Sequence, residues 1–173
     1  MVETLEKQPC PFCAKNTLTL TEDLMDIPYF GKTYILSMNC NNCKYSKSDV
    51  ESQERKEPKR YTFEISKSED LNVRVVKSSE ARVKIPTLKM DMRPGPASEG
   101  FVTNIEGLLT RFKKIIEDER DNADDDQIKK TAKNLLKKIW KIEIGDVPAK
   151  IIIEDPSGNS AIISEKVEVE KLK

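Results

Sequence analysis

The stretches Cys10-Pro-Phe-Cys13 and Cys40-Asn-Asn-Cys43 decide how the first part of this chain folds. They hold all 4 cysteines of a chain that has 0 histidines. A Cys-x-x-Cys pair forms a tight turn that directs two thiolates to one point, and two facing turns supply the tetrahedron of sulfurs that Zn²⁺ prefers. Because the protein fills every position, the zinc ion is expected to be structural. The predicted ligands are Cys10, Cys13, Cys40 and Cys43.

Paired cysteines also serve in redox chemistry and in disulfide bonds. Disulfides are typical of exported proteins, but residues 1–8 are polar and charged, without the apolar segment of a signal peptide. We therefore expect a cytoplasmic location, where the reducing environment favours metal binding by such pairs. Ala14 and Lys44 follow the two pairs, at positions where glycine often relieves a left-handed backbone, so both are expected to carry some strain.

Composition and charge limit the functional classes. The chain has 173 residues, with 30 Lys and Arg against 30 Asp and Glu, so its formal net charge is zero. Without a basic block it lacks the electrostatic footprint of a nucleic-acid binder. No apolar run is long enough to span a membrane. The length suffices for one ordinary domain and a small metal-bound module.

A β-hairpin is predicted between the two cysteine pairs. Residues 17–22 alternate in hydrophobicity, and residues 32–38 are rich in β-forming side chains. Pro28 and Gly31 lie between these strands and favour a turn. The strands and the two cysteine turns together predict a zinc ribbon at residues 1–50, whose core is too small to fold without its ion.

The remainder, residues 51–173, has strand periodicity at both ends and helical periodicity in the middle. A helical hairpin is predicted at about 103–144, with Thr103 and Glu106 as a capping box at its start. The pattern predicts a closed or sandwich-like β structure with this hairpin inserted. The predicted strands are residues 61–65, 71–75, 81–85, 149–154, 161–163 and 167–169.

Three local features bear on packing. The apolar stripe from Ile128 to Trp140 has helical spacing and is expected to be core. The segment Asp155-Pro-Ser-Gly-Asn-Ser160 fits a type I turn whose side chains cap their own backbone. Gly107 lies within a helix, where it costs about 1 kcal/mol relative to alanine. Close approach of another backbone, either the Asp155–Ser160 turn or that of a partner, would explain this glycine.

Short motifs along the chain resemble, in their order and spacing, those of the ZPR-type zinc-finger family. The resemblance covers nearly the whole chain, which has one zinc finger and one following β-rich domain, as in the archaeal single-copy form. Eukaryotic members carry two of each. The motifs are Cys10-Pro-x-Cys13, Ile27-Pro28-x-Phe30, Cys40-x-x-Cys43-x-Tyr45, Val76-Lys-Ser78, Ile85-Pro-x-Leu88, Thr103-x-x-Glu106-Gly107-Leu108 and Asp155-Pro-x-Gly-Asn-Ser160.

The resemblance implies a fold that is mostly β with an α-helical hairpin: a zinc ribbon followed by a double-stranded β-helix, which is cupin-like or sandwich-like. It also implies a folding chaperone or binding partner of translation elongation factor 1-alpha, a GTP-binding protein that eukaryotic members bind. The partner-binding residues stay unassigned. Tyr29 and Phe30, at the predicted hairpin turn, either anchor a partner or pack on the neighbouring domain.

Two other classes of function have some support in the residues. A nucleic-acid-binding zinc ribbon of the transcription or translation machinery would use Lys44 and Lys47 as phosphate contacts, against the zero net charge. An enzyme would depend on carboxylates or on Asp155, Asn159 and Ser160, because the chain has no histidine. We predict a protein-interaction factor and assign no catalytic residue.

Overall fold

The computed structural model describes residues 2–27, 31–52, 55–95 and 98–172. Within these ranges the chain forms twelve β-strands and two α-helices. Neither helix there is long and apolar enough to cross a membrane. Tyr29 and Phe30, the candidate anchors of the hairpin turn, lie outside the described residues. The predicted fold class, mostly β with a helical hairpin, is confirmed.

The first part of the chain is one antiparallel sheet with the strand order β1-β2-β3-β4. The two central strands pair along their length, from Leu18 opposite Cys40 to Ile27 opposite Gly31. These are the two predicted strands. The outer two escape prediction because β1 is exposed along most of its length and β4 is largely polar, so neither has hydrophobic alternation. The bounds are β1 (Val2–Pro9), β2 (Asn16–Ile27), β3 (Gly31–Cys40) and β4 (Ser46–Ser52).

The strands of the second part form a five-stranded sheet, β12-β5-β10-β7-β8, and a three-stranded sheet, β11-β6-β9. Their alternate residues enter one apolar core. Phe63 and Ile65 of β5 lie there with Ile151 and Ile153 of β10. The bounds are β5 (Lys59–Ile65), β6 (Arg74–Lys77), β7 (Arg82–Ile85), β8 (Met90–Met92), β9 (Phe101–Asn104), β10 (Ala149–Asp155), β11 (Ala161–Ile163) and β12 (Glu168–Lys171).

Two antiparallel helices, α1 (Ile105–Asn122) and α2 (Asp126–Glu143), follow β9 and cover this core. The predicted capping residue is wrong. Thr103 still pairs with Val75 in the sheet, so the helix begins later, and the side chain of Asn104 accepts a hydrogen bond from the amide of Gly107 at 2.8 Å. A Cβ on Gly107 would lie 2.2 Å from Oγ1 of Thr103. The glycine therefore makes room for Thr103 and not for another backbone.

The apolar stripe of α2 is only partly buried. Ala132 and Ile139 lie in the core, whereas Ile128 and Trp140 are 41% and 54% exposed. Adjacent residues in an α-helix project about 100° apart, so a helix that packs through Ile139 turns Trp140 towards solvent. The prediction that the whole stripe is core is wrong at these two positions.

Candidate metal centre and domain junction

Four cysteine sulfurs converge at one end of the ribbon. The Sγ atoms of Cys10, Cys13, Cys40 and Cys43 all lie within 4.8 Å of one another. The Cys10–Cys43 pair is 3.6 Å apart and the Cys13–Cys40 pair 3.7 Å apart. Zinc–sulfur bonds of about 2.3 Å place the corners of a tetrahedron about 3.8 Å apart, so the sulfurs have the spacing that one zinc ion requires. All four cysteines are free of disulfides.

Two tight backbone turns place these sulfurs. The amide of Ala14 donates to the carbonyl of Cys10 at 2.9 Å, and the amide of Lys44 donates to the carbonyl of Cys40 at 3.1 Å. Ala14 and Lys44 have φ angles of 56° and 61°, in the left-handed region. A side chain in this region costs roughly 1–2 kcal/mol. The strain expected after each cysteine pair is therefore present, and contacts at the metal centre must offset it.

The electrostatics of the cluster favour a bound cation. The amide of Cys43 and the hydroxyl of Thr17 lower the pKa of Cys40 to about 6. The amide of Tyr45 acts to lower the pKa of Cys43, but desolvation and the neighbouring thiols outweigh it and raise this pKa to about 12. Several adjacent thiols cannot all ionise without a positive charge between them. The donor set and its charge fit Zn²⁺.

An aromatic pair lies against the cysteine turns. The rings of Phe12 and Tyr45 have centroids 4.5 Å apart. Phe12 is 74% exposed, although it belongs to a turn that is fixed by two flanking ligand positions. Sequence reasoning did not single out this residue, because a lone aromatic between two cysteines has no periodicity. A rigid, exposed aromatic side chain is a typical anchor for a protein partner.

The ribbon contacts the second part of the chain through β4. Asp49 accepts a hydrogen bond from the amide of Gly100 at 2.7 Å, and Lys47 forms an ion pair with Glu99 at 3.2 Å. A Cβ on Gly100 would lie 2.3 Å from the carbonyl oxygen of Val50, so the two backbones touch. Lys47, one of the two proposed phosphate contacts, is therefore engaged within the protein.

The turn after β10 is a buried polar cluster. The carboxylate of Asp155 accepts hydrogen bonds from the amide and hydroxyl of Ser157, at 2.8 and 2.7 Å, and from the hydroxyl of Ser160 at 2.6 Å. Burial acts to raise the pKa of Asp155, but these hydrogen bonds outweigh it and lower the pKa. Ser160 also accepts from the amide of Ser78 at 3.0 Å. The predicted self-capping turn is confirmed, and it additionally joins β10 to the connection after β6.

The turn offers little to a substrate. Asp155, Asn159 and Ser160 are 0%, 6% and 2% exposed, so the polar groups named as candidates for catalysis face the interior. Gly158 has φ +69°, and a Cβ there would lie 2.2 Å from the carbonyl oxygen of Glu57. The turn therefore packs tightly under the segment that follows the ribbon, which is what a structural role requires.

Comparison with known proteins accounts for both parts of the chain. A model described as the ZPR1 zinc-finger domain matches residues 2–58, and one described as the ZPR1 jelly-roll domain matches residues 69–173. A ZPR1-like protein of Methanocaldococcus jannaschii is 42% identical over 172 residues, which cover 99% of this chain and 87% of the relative. A ZPR1-like protein of Pyrococcus horikoshii is 37% identical over 175 residues, covering 99% and 78%.

A eukaryotic relative is much longer than this chain. The zinc finger chaperone zpr1 of Schizosaccharomyces pombe is 32% identical over 157 residues, which cover 88% of this chain but only 33% of that protein. The present chain thus corresponds to one zinc finger and one jelly-roll domain within a larger relative. Its four cysteines are positioned to bind the single zinc ion of such a finger.

Proposed function

The chain belongs to the ZPR1 zinc-finger family, and from this premise we propose that it is a folding chaperone or binding partner of translation elongation factor 1-alpha. The Schizosaccharomyces pombe relative is named a zinc finger chaperone, which supports the chaperone role. The choice of client rests on the family resemblance of the sequence motifs. In this proposal the protein acts in the cytoplasm, through binding and without catalysis.

The observation that carries the proposal is the exposed aromatic side chain at the metal centre. Phe12 is 74% exposed and lies on the ring of Tyr45. Both side chains come from the two cysteine turns, so their placement depends on those turns being held together. A pre-placed aromatic group loses little conformational entropy on binding, which favours its use as an anchor.

The metal ion has a structural role in this proposal. We propose that its ligands are Cys10, Cys13, Cys40 and Cys43. When bound, zinc supplies the cross-link between the two turns. The chain's own residues do the rest, because the turns present Phe12 and Tyr45 to the client. We also propose that the chain divides near residue 50 into the ribbon (1–50) and the β-rich domain (51–173), with the helical hairpin at about 103–144.

The proposal is tested by capture from native cell extract followed by mass spectrometry. We expect the zinc-loaded protein to retain elongation factor 1-alpha. Phe12→Ala should keep its zinc but retain at least tenfold less factor, because removal of a central aromatic anchor costs about 2 kcal/mol or more. Trp140→Ala is the matched control, since Trp140 is 54% exposed but lies on α2.

Two results would contradict the proposal. The first is retention of ribosomal or messenger RNA in place of the factor, with a steep dependence on salt, which would favour the nucleic-acid-binding alternative. The second is equal capture by Phe12→Ala and the unchanged protein, which would remove the metal-centre aromatic pair from the client surface.

A further inference from the structure

A cavity of about 530 Å³ opens where the ribbon meets the second part of the chain. It lies beside β4, β8 and β9, each of which is the edge strand of its own sheet. Edge strands have backbone groups without a partner strand, so an extended peptide can lie along them. We call this cavity the junction pocket. The residues that line it include Ile35, Ser48, Val50, Lys77, Phe101 and Arg111.

The ammonium group of Lys77 lies at the junction pocket without a direct ion-pair partner among the described residues. Lys77 is only 3% exposed, and its Nζ donates to the carbonyl of Ser78 at 2.9 Å and to the hydroxyl of Ser98 at 3.5 Å. Across the described part of the chain, no carboxylate lies within ion-pair distance of this nitrogen. Burial lowers the pKa of Lys77, because desolvation disfavours the charged form. A buried ammonium group in this position is stabilised by an anion that approaches it.

A second cation faces the same ring as Lys77. The guanidinium carbon of Arg111, on α1, lies 4.0 Å from the centroid of Phe101, and Nζ of Lys77 lies 5.6 Å from that centroid. Arg111 has no ion-pair partner among the residues whose positions are described. The other charged groups at the pocket are occupied, since Arg93 pairs with Asp91 and Glu99 pairs with Lys47. The junction pocket therefore carries two cations that make no direct ion pair with a described residue, while Asp155 and Asp49 act on Lys77 only from a longer distance.

We propose that the junction pocket binds an acidic side chain on an apolar, extended segment of the protein client, with the carboxylate between Lys77 and Arg111. The two cations supply the charge, and the hydroxyl of Ser48 adds a donor at the pocket wall. Ile35 and Val50 provide apolar surface for the residues on either side of the acid. This apolar lining favours a carboxylate within a peptide over a free, strongly hydrated phosphate ion.

The inference rests on the proposed function, because it takes the occupant to be a segment of a protein client. It names the chemistry of that segment. It also gives the client a second contact, separate from Phe12. The client would then touch both the metal centre and the domain junction.

The test uses two blocked peptides, acetyl-Ile-Glu-Ile-amide and acetyl-Ile-Gln-Ile-amide, titrated into the zinc-loaded full chain and followed by NMR. We expect the Glu peptide to bind at least tenfold more tightly than the Gln peptide, with shifts at Phe101 and Val50. Arg111→Met should weaken binding of the Glu peptide about tenfold. Lys114→Met is the matched control, because Lys114 is an exposed cation on the same helix that does not line the pocket.

Lys77→Met provides a second variant, and it should also lose the preference for Glu over Gln. Equal binding of the two peptides, or full binding by Arg111→Met, would overturn the proposal. Inorganic phosphate that bound the junction pocket more tightly than the Glu peptide would overturn the assignment to a client segment.

Capture of elongation factor 1-alpha from extract, measured in parallel, separates this inference from the function on which it rests. If the unchanged protein and Arg111→Met capture the factor equally, the junction pocket is not a client contact, while the proposed function stands. If the unchanged protein captures none, the proposed function fails, and with it the client named here.

Discussion

Different interactions stabilise the ribbon and the jelly-roll domain. Three residues of the ribbon, Cys10, Leu18 and Cys40, form its buried apolar cluster. The jelly-roll domain has a large continuous core to which both sheets and both helices contribute, including Phe63 and Phe112. Apolar burial stabilises a protein at about 25 cal/mol per Å² buried, so the second part has a driving force that the first lacks. The ribbon must obtain its stability from metal binding.

This difference has a functional consequence. Because the two cysteine turns are the main source of order in the ribbon, side chains on those turns are placed by the backbone without having to be buried. Phe12 can therefore be exposed and still have a defined position. The jelly-roll domain is instead stabilised by its own core. The ribbon is fixed to it through the hydrogen bond between Asp49 and Gly100.

The largest expected effect comes from removal of zinc. Chelation should unfold residues 2–52 and leave the jelly-roll domain folded, because zinc contributes on the order of 10–16 kcal/mol to folding of small metal-bound modules. Hydrogen exchange measured by mass spectrometry checks this region by region. We expect loss of protection in β2 and β3 and unchanged protection in β5 and β10.

Cys40→Ser is the corresponding variant, and it should reproduce the pattern seen with the chelator. Protection of β2 and β3 that survived the verified loss of metal would show that the ribbon has a sufficient core of its own. The contrast between the two parts of the molecule would then be wrong.

Local patterns in the sequence predicted those parts of the structure that depend on neighbouring residues. The two cysteine pairs gave the metal centre, and alternation of Tyr61, Phe63 and Ile65 gave the buried face of β5. The family resemblance is confirmed, as is its implication of a zinc ribbon followed by a β-rich domain. These features are encoded within short windows, where spacing determines which side chains share a face.

Features that arise from pairing between distant segments were missed. Thr103 has the right neighbours for a helix cap, but its pairing with Val75 keeps it in a strand. The strand β1 is exposed along most of its length, so it has no apolar alternation to detect. The junction pocket requires Lys77 and Arg111 to meet at one aromatic ring, and no local pattern indicates that two such separated residues converge.

The second prediction concerns the contact between the two parts. Gly100→Ala places a Cβ 2.3 Å from the carbonyl oxygen of Val50, and backbone atoms on both sides must move. We expect a loss of about 3 kcal/mol in the free energy of unfolding, at the upper end of the effects of overpacking. The ribbon should exchange faster near Val50, with its zinc content unchanged. Urea denaturation and hydrogen exchange measure the two effects.

Gly95→Ala is the matched control, because a Cβ on Gly95 meets nothing within 4 Å. We expect its free energy of unfolding to change by less than about 0.5 kcal/mol. Equal behaviour of the two variants would mean that the ribbon does not depend on close packing at Gly100, and that polar contacts such as the Asp49 hydrogen bond and the Lys47–Glu99 ion pair hold the junction.

The smallest expected effect is a loss of stability of the jelly-roll domain at acidic pH, caused by protonation of Asp70. This side chain is buried and accepts hydrogen bonds from the amide of Ser66 at 3.0 Å and from Lys166 at 2.9 Å. Burial acts to raise the pKa of Asp70, but these partners outweigh it and lower the pKa to about 2. The unfolded chain, with an ordinary pKa of about 4, then binds the proton more readily than the folded chain does.

The sign of the effect follows from this difference in proton binding. The stabilisation by ionised Asp70 is complete above pH 4 and is lost as the pH falls from about 4 to about 2, by at most about 2 kcal/mol. Trp140 is the only tryptophan and lies in α2, so its fluorescence reports unfolding of this domain and not of the ribbon. In urea titrations at several pH values, Asp70→Asn should flatten the dependence over this range.

Glu69→Gln is the matched control for Asp70→Asn, because Glu69 is the adjacent carboxylate and is exposed. It should leave the slope between pH 4 and pH 2 unchanged, since an exposed carboxylate stays hydrated and its surface ion pair contributes little to stability. If both variants flatten the slope equally, the acid sensitivity comes from net charge and not from the buried carboxylate. Asp70 would then contribute little to the stability of the jelly-roll domain, and the contrast between its apolar core and the metal-held ribbon would be sharper still.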